Sequence, residues 1–342
     1  MKSNTIPLVS ILIPTFDQKH EYLRASIQSA IDQSYEKIEI VISNNHSTNG
    51  IEKVFQEFND ERIVFIKPET HLTLNDHFNF VASKAKGEYI CFLSSDDLLY
   101  KRCIEKTVSP LITNRELVMA YNENVIIDAD GTKQDVIRKL KLPTGTYSKH
   151  HTALRMFNNT EYWIIGSVIK REAFLKEQFI SNIIAGDWVL GFKLLKHGNV
   201  AYINEQLAAI RFHEREGNKQ TEYNALKKEH FKQVVDKYME LINDSVLIKA
   251  IGLTKEDLTK CFEEAIIINV VILLRLYRAK GIGLQEARDQ IQMYKTHTTS
   301  NALLRLERNF ESPSGLIFTY LIGLRRRMKR SFLKMTTKHI YG

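Results

Sequence analysis

Two adjacent carboxylates, Asp96 and Asp97, end the stretch Ser94-Ser95-Asp96-Asp97, directly after the apolar run Tyr89-Ile90-Cys91-Phe92-Leu93. Successive side chains on an extended chain point apart, so both acids serve one site only where the chain turns. Carboxylates so placed suit a hard divalent ion that also binds diphosphate oxygens. The structural alternative is that they cap a helix starting at Leu98. A third acid, Asp187, stands in Gly186-Asp187-Trp188, ahead of the apolar positions Val189, Leu190, Phe192, Leu194 and Leu195. It suits a general base that takes a proton from an acceptor hydroxyl, or a helix N-cap. Arg211-Phe212-His213 closes an apolar run, and at period two Arg211 and His213 face the same way. There they offset diphosphate charge, or His213 ligates the metal; the alternative is a solvent-facing strand edge. Trp163 and Ile164-Ile165-Gly166-Ser167 read as core more readily than as an acceptor pocket.

Strands and helices must bring these groups together. Leu8 to Ile13 is a short apolar run ended by Pro14, which predicts a buried strand. Leu23, Ile27, Ala30 and Ile31 recur at helical spacing, which predicts a helix over 21–33. Further strands are expected at Ile38–Ser43, Arg62–Lys67 and Glu88–Leu93, with helices over 50–59 and 74–86. Such alternation implies right-handed crossovers and a mostly parallel α/β sheet. Ligands of such sheets bind outside the carboxyl ends of the strands. That rule selects Pro14-Thr15-Phe16-Asp17, Ser43-Asn44-Asn45-His46, Lys67-Pro68-Glu69 and Ser94-Ser95-Asp96-Asp97. Beyond residue 115, strands are expected at Glu116–Tyr121, Val125–Ile127, Val200–Ile203 and Leu207–Phe212, with helices over 149–157 and 187–197. From about 220 only helices are expected, over 221–242, 255–279, 284–295 and 315–335.

In this order the motifs resemble family 2 of the inverting glycosyltransferases, enzymes of bacterial surface polysaccharides with the GT-A fold. Val9-Ser10-Ile11-Leu12-Ile13-Pro14-Thr15-Phe16 resembles the family's opening strand. The stretch from Ile40 to Asn49 resembles its second strand and nucleotide-base loop. Lys86 to Asp97 resembles the strand that leads to its Asp-x-Asp metal motif. Gly186-Asp187-Trp188, with Leu194 to Gly198, resembles the segment of its catalytic base, and Arg211-Phe212-His213 its closing Arg-x-His. The match spans residues 8 to about 215.

The resemblance implies a Rossmann-like GT-A domain over 1–219 and a separate helical region over 220–342. It implies a divalent metal, Mn²⁺ or Mg²⁺, held by Asp96, Asp97 and His213. The donor, a UDP-sugar by preference, would lie on Pro14, Thr15, Phe16, Asp17, Asn44, Asn45, Ser95, Asp96 and Arg211. Asp187 would be the catalytic base, acting on a hydroxyl of a glycan or polyprenyl-linked acceptor. Two departures stand out: Ser94 replaces an acid of the usual Asp-x-Asp, and Asn44 and Asn49 replace Asp in the base loop. They support a second expectation, a GT-A-like binding or partner subunit without turnover.

Composition narrows the class. Of the net charge of +8, seven units come from the Lys and Arg of residues 312–342, which contain no Asp or Glu. The remainder is close to neutral, so no nucleic-acid partner is expected of the main domain. A basic tail whose Ile317, Tyr320, Leu321, Leu324, Met328, Phe332 and Met335 share one helical face suits an anionic membrane surface. Three scattered cysteines, Cys91, Cys103 and Cys261, fit a reducing compartment. No apolar run reaches the roughly 20 residues of a spanning helix. The expectation is a cytoplasmic enzyme at the inner face of the membrane.

Overall fold

Val9–Thr15 (β1) and Ile38–Asn44 (β2) are buried at every position, as strands covered on both faces must be. Tyr89–Phe92 (β4) is likewise buried throughout. The computed structural model describes residues 6–134, 142–158, 164–181, 186–212 and 243–257, with scattered positions from 236 to 292. The chain divides into two compact units, Met1–Lys255 and Glu256–Gly342.

The sheet of the first unit runs β3-β2-β1-β4-β8-β6-β9-β5. Its first four strands, with Ile63–Ile66 as β3, are parallel. Val168–Lys170 (β8) then pairs antiparallel with β4 and with Leu117–Ile127 (β6). Asn199–Arg211 (β9) lies parallel to β6, and Leu98–Leu99 (β5) and Gly145–Tyr147 (β7) pair antiparallel with β9. The helices are His20–Ile31 (α1), Glu52–Phe55 (α2), Leu74–Lys84 (α3), Cys103–Thr113 (α4), Lys149–Asn158 (α5), Arg171–Glu177 (α6) and Gly186–Leu194 (α7). A further helix covers Ser245–Ile251, started by Asp244, whose side chain accepts from Leu247 N, and stopped by Gly252 at φ 81°.

The structure differs from the sequence reading at several points. β1 continues through Pro14 to Thr15 and pairs with β2 along its whole length. Thr15 O accepts from Asn45 N on the β2 side, so Pro14 turns its missing N–H toward β4, where pairing has already ended at Leu12. The two strands expected between 116 and 127 are one, and so are the two expected between 200 and 212. Register shifts within Asn122–Asn124 let β6 and β9 stay paired across the polar middle that looked like a break. No helix starts at Leu98: Leu98–Leu99 pairs with Ala209 and Ala208, and the next helix begins at Cys103. Helix α4 was not anticipated, although Cys103, Ile104, Thr107, Val108 and Leu111 form its buried stripe. The helix expected over 315–335 and most of those expected over 221–242, 255–279 and 284–295 lie outside the described residues.

One anchor fixes the sheet at the amino ends of its strands. Glu39 on β2 is buried, and its Oε1 accepts from Ser10 Oγ (2.5 Å), Lys86 N (2.5 Å) and Gly87 N (3.2 Å). A buried carboxylate needs such donors. They set where the chain enters β4, and therefore where Asp96 emerges beyond its far end.

Candidate active site

The carboxyl ends of β1 and β2 carry two loops laced to each other. Asp17, at φ 42°, donates its N–H to Ser47 Oγ (2.9 Å), and its Oδ1 accepts from Thr48 N (2.6 Å). Asn49 Nδ2 donates to Gln18 O (2.8 Å), and His20 Nε2 lies 3.0 Å from Asn49 O. Asn44 Oδ1 accepts from Ser47 N (2.8 Å) while its Nδ2 donates to Glu52 (2.5 Å). Asn45 is buried, and its amide closes a two-way pair with Leu72: Nδ2 to O and Leu72 N to Oδ1, both 2.9 Å. Thus Asn44 and Asn45, expected as base readers, hold the loops that frame the site. Thr15 Oγ1 is buried without a hydrogen-bond partner among the described residues. Beyond it Phe16 is 49% exposed, packed edge-on against His71 at 4.7 Å between ring centroids. His71, not anticipated, also reaches Asn45 O with Nδ1 (3.0 Å). Beneath this loop, buried His77 lies against Ser43 Oγ (2.8 Å), and burial, aided by the charge of His71, pushes its pKa down to about 4.

The chain turns at the two acids, as their joint use requires: Asp97 N donates to Ser94 O (3.1 Å). Asp96 is half-buried, whereas Asp97 is buried, and its carboxyl accepts from Arg211 N (2.8 Å) and is hydrogen-bonded by Ser94. Desolvation, and then the charge of Asp96, hold the Asp97 carboxyl well above the usual carboxylate range. Ser95 is buried and its Oγ accepts from Gln18 Nε2 (3.3 Å). The Arg211 side chain donates to Asp96 O, Asp128 O and Ala129 O, and its guanidinium carbon sits 4.5 Å over the Tyr22 ring. The structure therefore unites Asp96, Asp97, Ser95 and Arg211, and adds Tyr22, Gln18 and the Asp128–Gly131 turn. Asp130-Gly131 is a turn-forming pair; nothing in the sequence pointed to Tyr22.

Asp187 lies in the first turn of α7 and is half-buried, its Oδ1 accepting from Trp188 N (2.8 Å). Desolvation pushes its pKa up to about 6 against the pull of that N–H. Gly186 has no room for a side chain: a Cβ there would meet Asn75 Nδ2 at 2.9 Å. That contact seats α7 on the start of α3, whose Asn75 also donates to Ile180 O (2.7 Å). His213 and Trp163 lie outside the described residues, while Ile164, Ile165 and Ser167 are buried, as expected of core. Among the described residues no group of three or more His, Cys, Asp or Glu could hold a metal by itself. The donor set still fits an ion shared with substrate: a carboxylate at a turn, with phosphate oxygens and water completing the shell, is how Mg²⁺ is commonly held.

A family model described as Glycosyl transferase family 2 matches residues 10–176. An uncharacterized glycosyltransferase of Rickettsia typhi, RT0329, is 28% identical over 259 residues, 72% of this chain and 78% of that one. WfgD of Escherichia coli, a UDP-Glc:alpha-D-GlcNAc-diphosphoundecaprenol beta-1,3-glucosyltransferase, is 26% identical over 198 residues, 58% of this chain and 73% of WfgD. Among solved structures, S. aureus TarS 1-349 in complex with UDP-GlcNAc superposes with a TM-score of 0.60 at 14% identity, covering 84% of this chain and 79% of that one. The mannosyltransferase PcManGT from Pyrobaculum calidifontis, in complex with GDP-Man and Mn²⁺, gives 0.52 at 13%, covering 94% and 88%.

Proposed function

We propose that this chain, which belongs to glycosyl transferase family 2 and has the GT-A fold, transfers a sugar with inversion from a nucleoside-diphosphate donor, UDP-sugar by preference, to a hydroxyl of a glycan or lipid-linked acceptor. The observation that carries the reading is the Asp96–Asp97 turn, set with the laced loops of β1 and β2 beyond the carboxyl ends of the sheet's first parallel strands. Those ends are where such sheets hold nucleotides. Support for the donor comes from the UDP-GlcNAc bound to TarS, and for a lipid-linked acceptor from the diphosphoundecaprenol substrate in WfgD's name.

In this reading Phe16 offers an exposed ring for the base, and the Asn44–Asn49 loop keeps its shape through Asp17 and Glu52. Asp96 would hold Mn²⁺ or Mg²⁺ together with His213, while Asp97 backs it from the interior. Bound there, the ion would neutralise charge on the departing diphosphate. Asp187 receives the acceptor's proton as its oxygen attacks the anomeric carbon and the bond to the diphosphate breaks; a carboxylate lifted toward neutral pH is a stronger base than an ordinary one. Ser94 and Asn44 have structural work here, in the Asp97 contact and the base loop, so their neutrality does not mark a site that has lost turnover.

No helix among the described residues is long and apolar enough to cross a membrane. The cation-rich stretch 312–342 would bring the enzyme to an anionic surface on the cytoplasmic face, beside a lipid-linked acceptor. Flotation with anionic against neutral liposomes, before and after truncation at Ser312, tests that placement; equal behaviour of the two proteins rejects it.

The test of function is nucleotide-dependent. UDP with Mn²⁺ should raise the melting temperature, since a ligand bound to the native state stabilises by mass action. A UDP-sugar should then be consumed with release of UDP. Protection by GDP, CDP or dTDP and not by UDP would replace the donor, and protection by none would remove the donor-site reading.

A further inference from the structure

We propose that Arg211 is a positioning residue that clamps the Asp96–Asp97 turn, and not a ligand of the donor diphosphate. The inference rests on the donor-site reading above and assigns one residue within it.

The geometry is a clamp. Through its main chain, Arg211 N donates to Asp97 Oδ1 (2.8 Å). Through its side chain, Nε donates to Asp96 O (3.0 Å), the carbonyl of the residue whose carboxylate the reading above assigns to the metal. Nη1 is divided between Asp128 O (3.0 Å) and Ala129 O (2.9 Å). One face of the guanidinium lies over Tyr22, whose ring is held in α1 with the residue only 5% exposed. Three of the five N–H bonds of this side chain are therefore aimed at peptide oxygens of two different turns, and one π-face is covered.

The second turn is itself fixed. Asp128 Oδ1 accepts from Asp130 N (3.1 Å) and Thr132 N (2.9 Å), and Asp128 Oδ2 accepts from Gln134 Nε2 (2.7 Å). Arg211, the last residue of β9, thus ties the acid turn to the Asp128–Thr132 turn and to helix α1. A residue whose only task was to meet phosphate would leave its fork open toward the ligand. A lysine cannot replace this arrangement, because a single ammonium lacks the planar fork and the stacking face.

The test uses the full chain and two variants, Arg211→Lys and Asp128→Ala. The second removes only the carboxylate that shapes the receiving turn, and it lies far enough to the surface to leave the core intact. Calorimetry measures UDP binding without metal and Mn²⁺ binding to the UDP complex. We expect metal-free UDP affinity to be unchanged in both. Mn²⁺ affinity should fall by about 10-fold or more in Arg211→Lys, the usual scale for losing a partner that orients a metal ligand. Asp128→Ala should move it the same way, and the double variant should fall no further than Arg211→Lys alone, since residues acting as one unit are not additive. Weaker metal-free UDP binding in Arg211→Lys with unaltered Mn²⁺ binding would make Arg211 a diphosphate ligand and overturn the proposal. Should Arg211→Lys not fold, unaltered Mn²⁺ binding in Asp128→Ala overturns it equally. A wild-type chain that binds no nucleoside diphosphate defeats the donor-site reading first, and this inference with it.

Discussion

His77 Nε2 lies 2.8 Å from Ser43 Oγ, both residues buried beneath the loop that follows β2. The ring's folded pKa is about 4, against 6.5 for an ordinary histidine, because burial disfavours its charged form. As pH falls below 6.5 the unfolded chain takes up a proton that the native ring resists. The contribution is therefore present in full above pH 6.5 and is lost progressively down to about pH 4. At pH 5 the loss should be about 2 kcal/mol. Urea titrations at pH 7.5 and pH 5 should show it in the wild type, and a His77→Gln variant should lose less over the same interval. An equal loss in both would place the acid sensitivity elsewhere.

Asp96→Ala should abolish transfer with little change in melting temperature. Asp96 is half-buried, and its main-chain contact with Arg211 does not depend on the side chain. Excess EDTA should reproduce the defect in the wild type, and Mn²⁺ should reverse it there and not in the variant. Full transfer by either the variant or the chelated enzyme would take the metal away from this turn.

Gly87→Ala should destabilise the chain by about 1–3 kcal/mol, the range for overpacking a filled site. A Cβ at Gly87 would stand 2.6 Å from Ser10 Oγ and 2.7 and 2.8 Å from the carbonyl oxygens of Tyr89 and Leu8. Two of those atoms are backbone and cannot swing aside. The Ser10–Glu39–Gly87 network that would be forced apart is buried, so its donors cannot turn to water. Thermal denaturation measures the effect; a wild-type melting temperature would show that the β4 entry is looser than this packing.

The parallel half of the sheet was legible because β1, β2 and β4 are buried on both faces and read as short apolar runs, Ile11–Ile13 and Ile40–Ile42 above all. The antiparallel half was less so. Asn122, Glu123 and Asn124 looked like a break in β6, yet a polar residue in mid-strand is tolerated where its side chain finds a partner, as Asn122 Nδ2 does at Gly166 O (2.8 Å). Short strands such as Leu98–Leu99 have no periodicity to read; their partners, Ala208 and Ala209, stand over a hundred residues away. The same distance hid the roles within the site. Sequence order placed Asp96, Asp97 and Arg211 in one motif series, but the groups that hold the Arg211 side chain, Tyr22 and Asp128, lie far from it in the chain. Those two residues carry no local mark of the task. Asn44 and Asn45 illustrate the converse: their position in the loop was legible, whereas the consumption of their amides by Glu52, Ser47 and Leu72 was not.

Asp187 should control the acid limb of the pH–rate profile. Its carboxyl pKa is lifted to about 6 by desolvation, and a general base works only in its deprotonated form. Transfer by the wild type should therefore fall as pH drops through about 6, tenfold per unit once well below it, with the plateau on the alkaline side. Asp187→Asn removes the proton acceptor at almost constant volume and leaves an amide oxygen to accept from Trp188 N, as the carboxylate does now. Donor affinity should survive, kcat should fall by about 10² or more, and the acid limb near pH 6 should vanish from what activity remains. The limb separates the two roles this position can play. A carboxylate that only stabilised the first turn of α7 would, when replaced by asparagine, change stability and leave the pH profile where it was. A profile with its limb intact in Asp187→Asn, at whatever residual rate, would move the base to another residue.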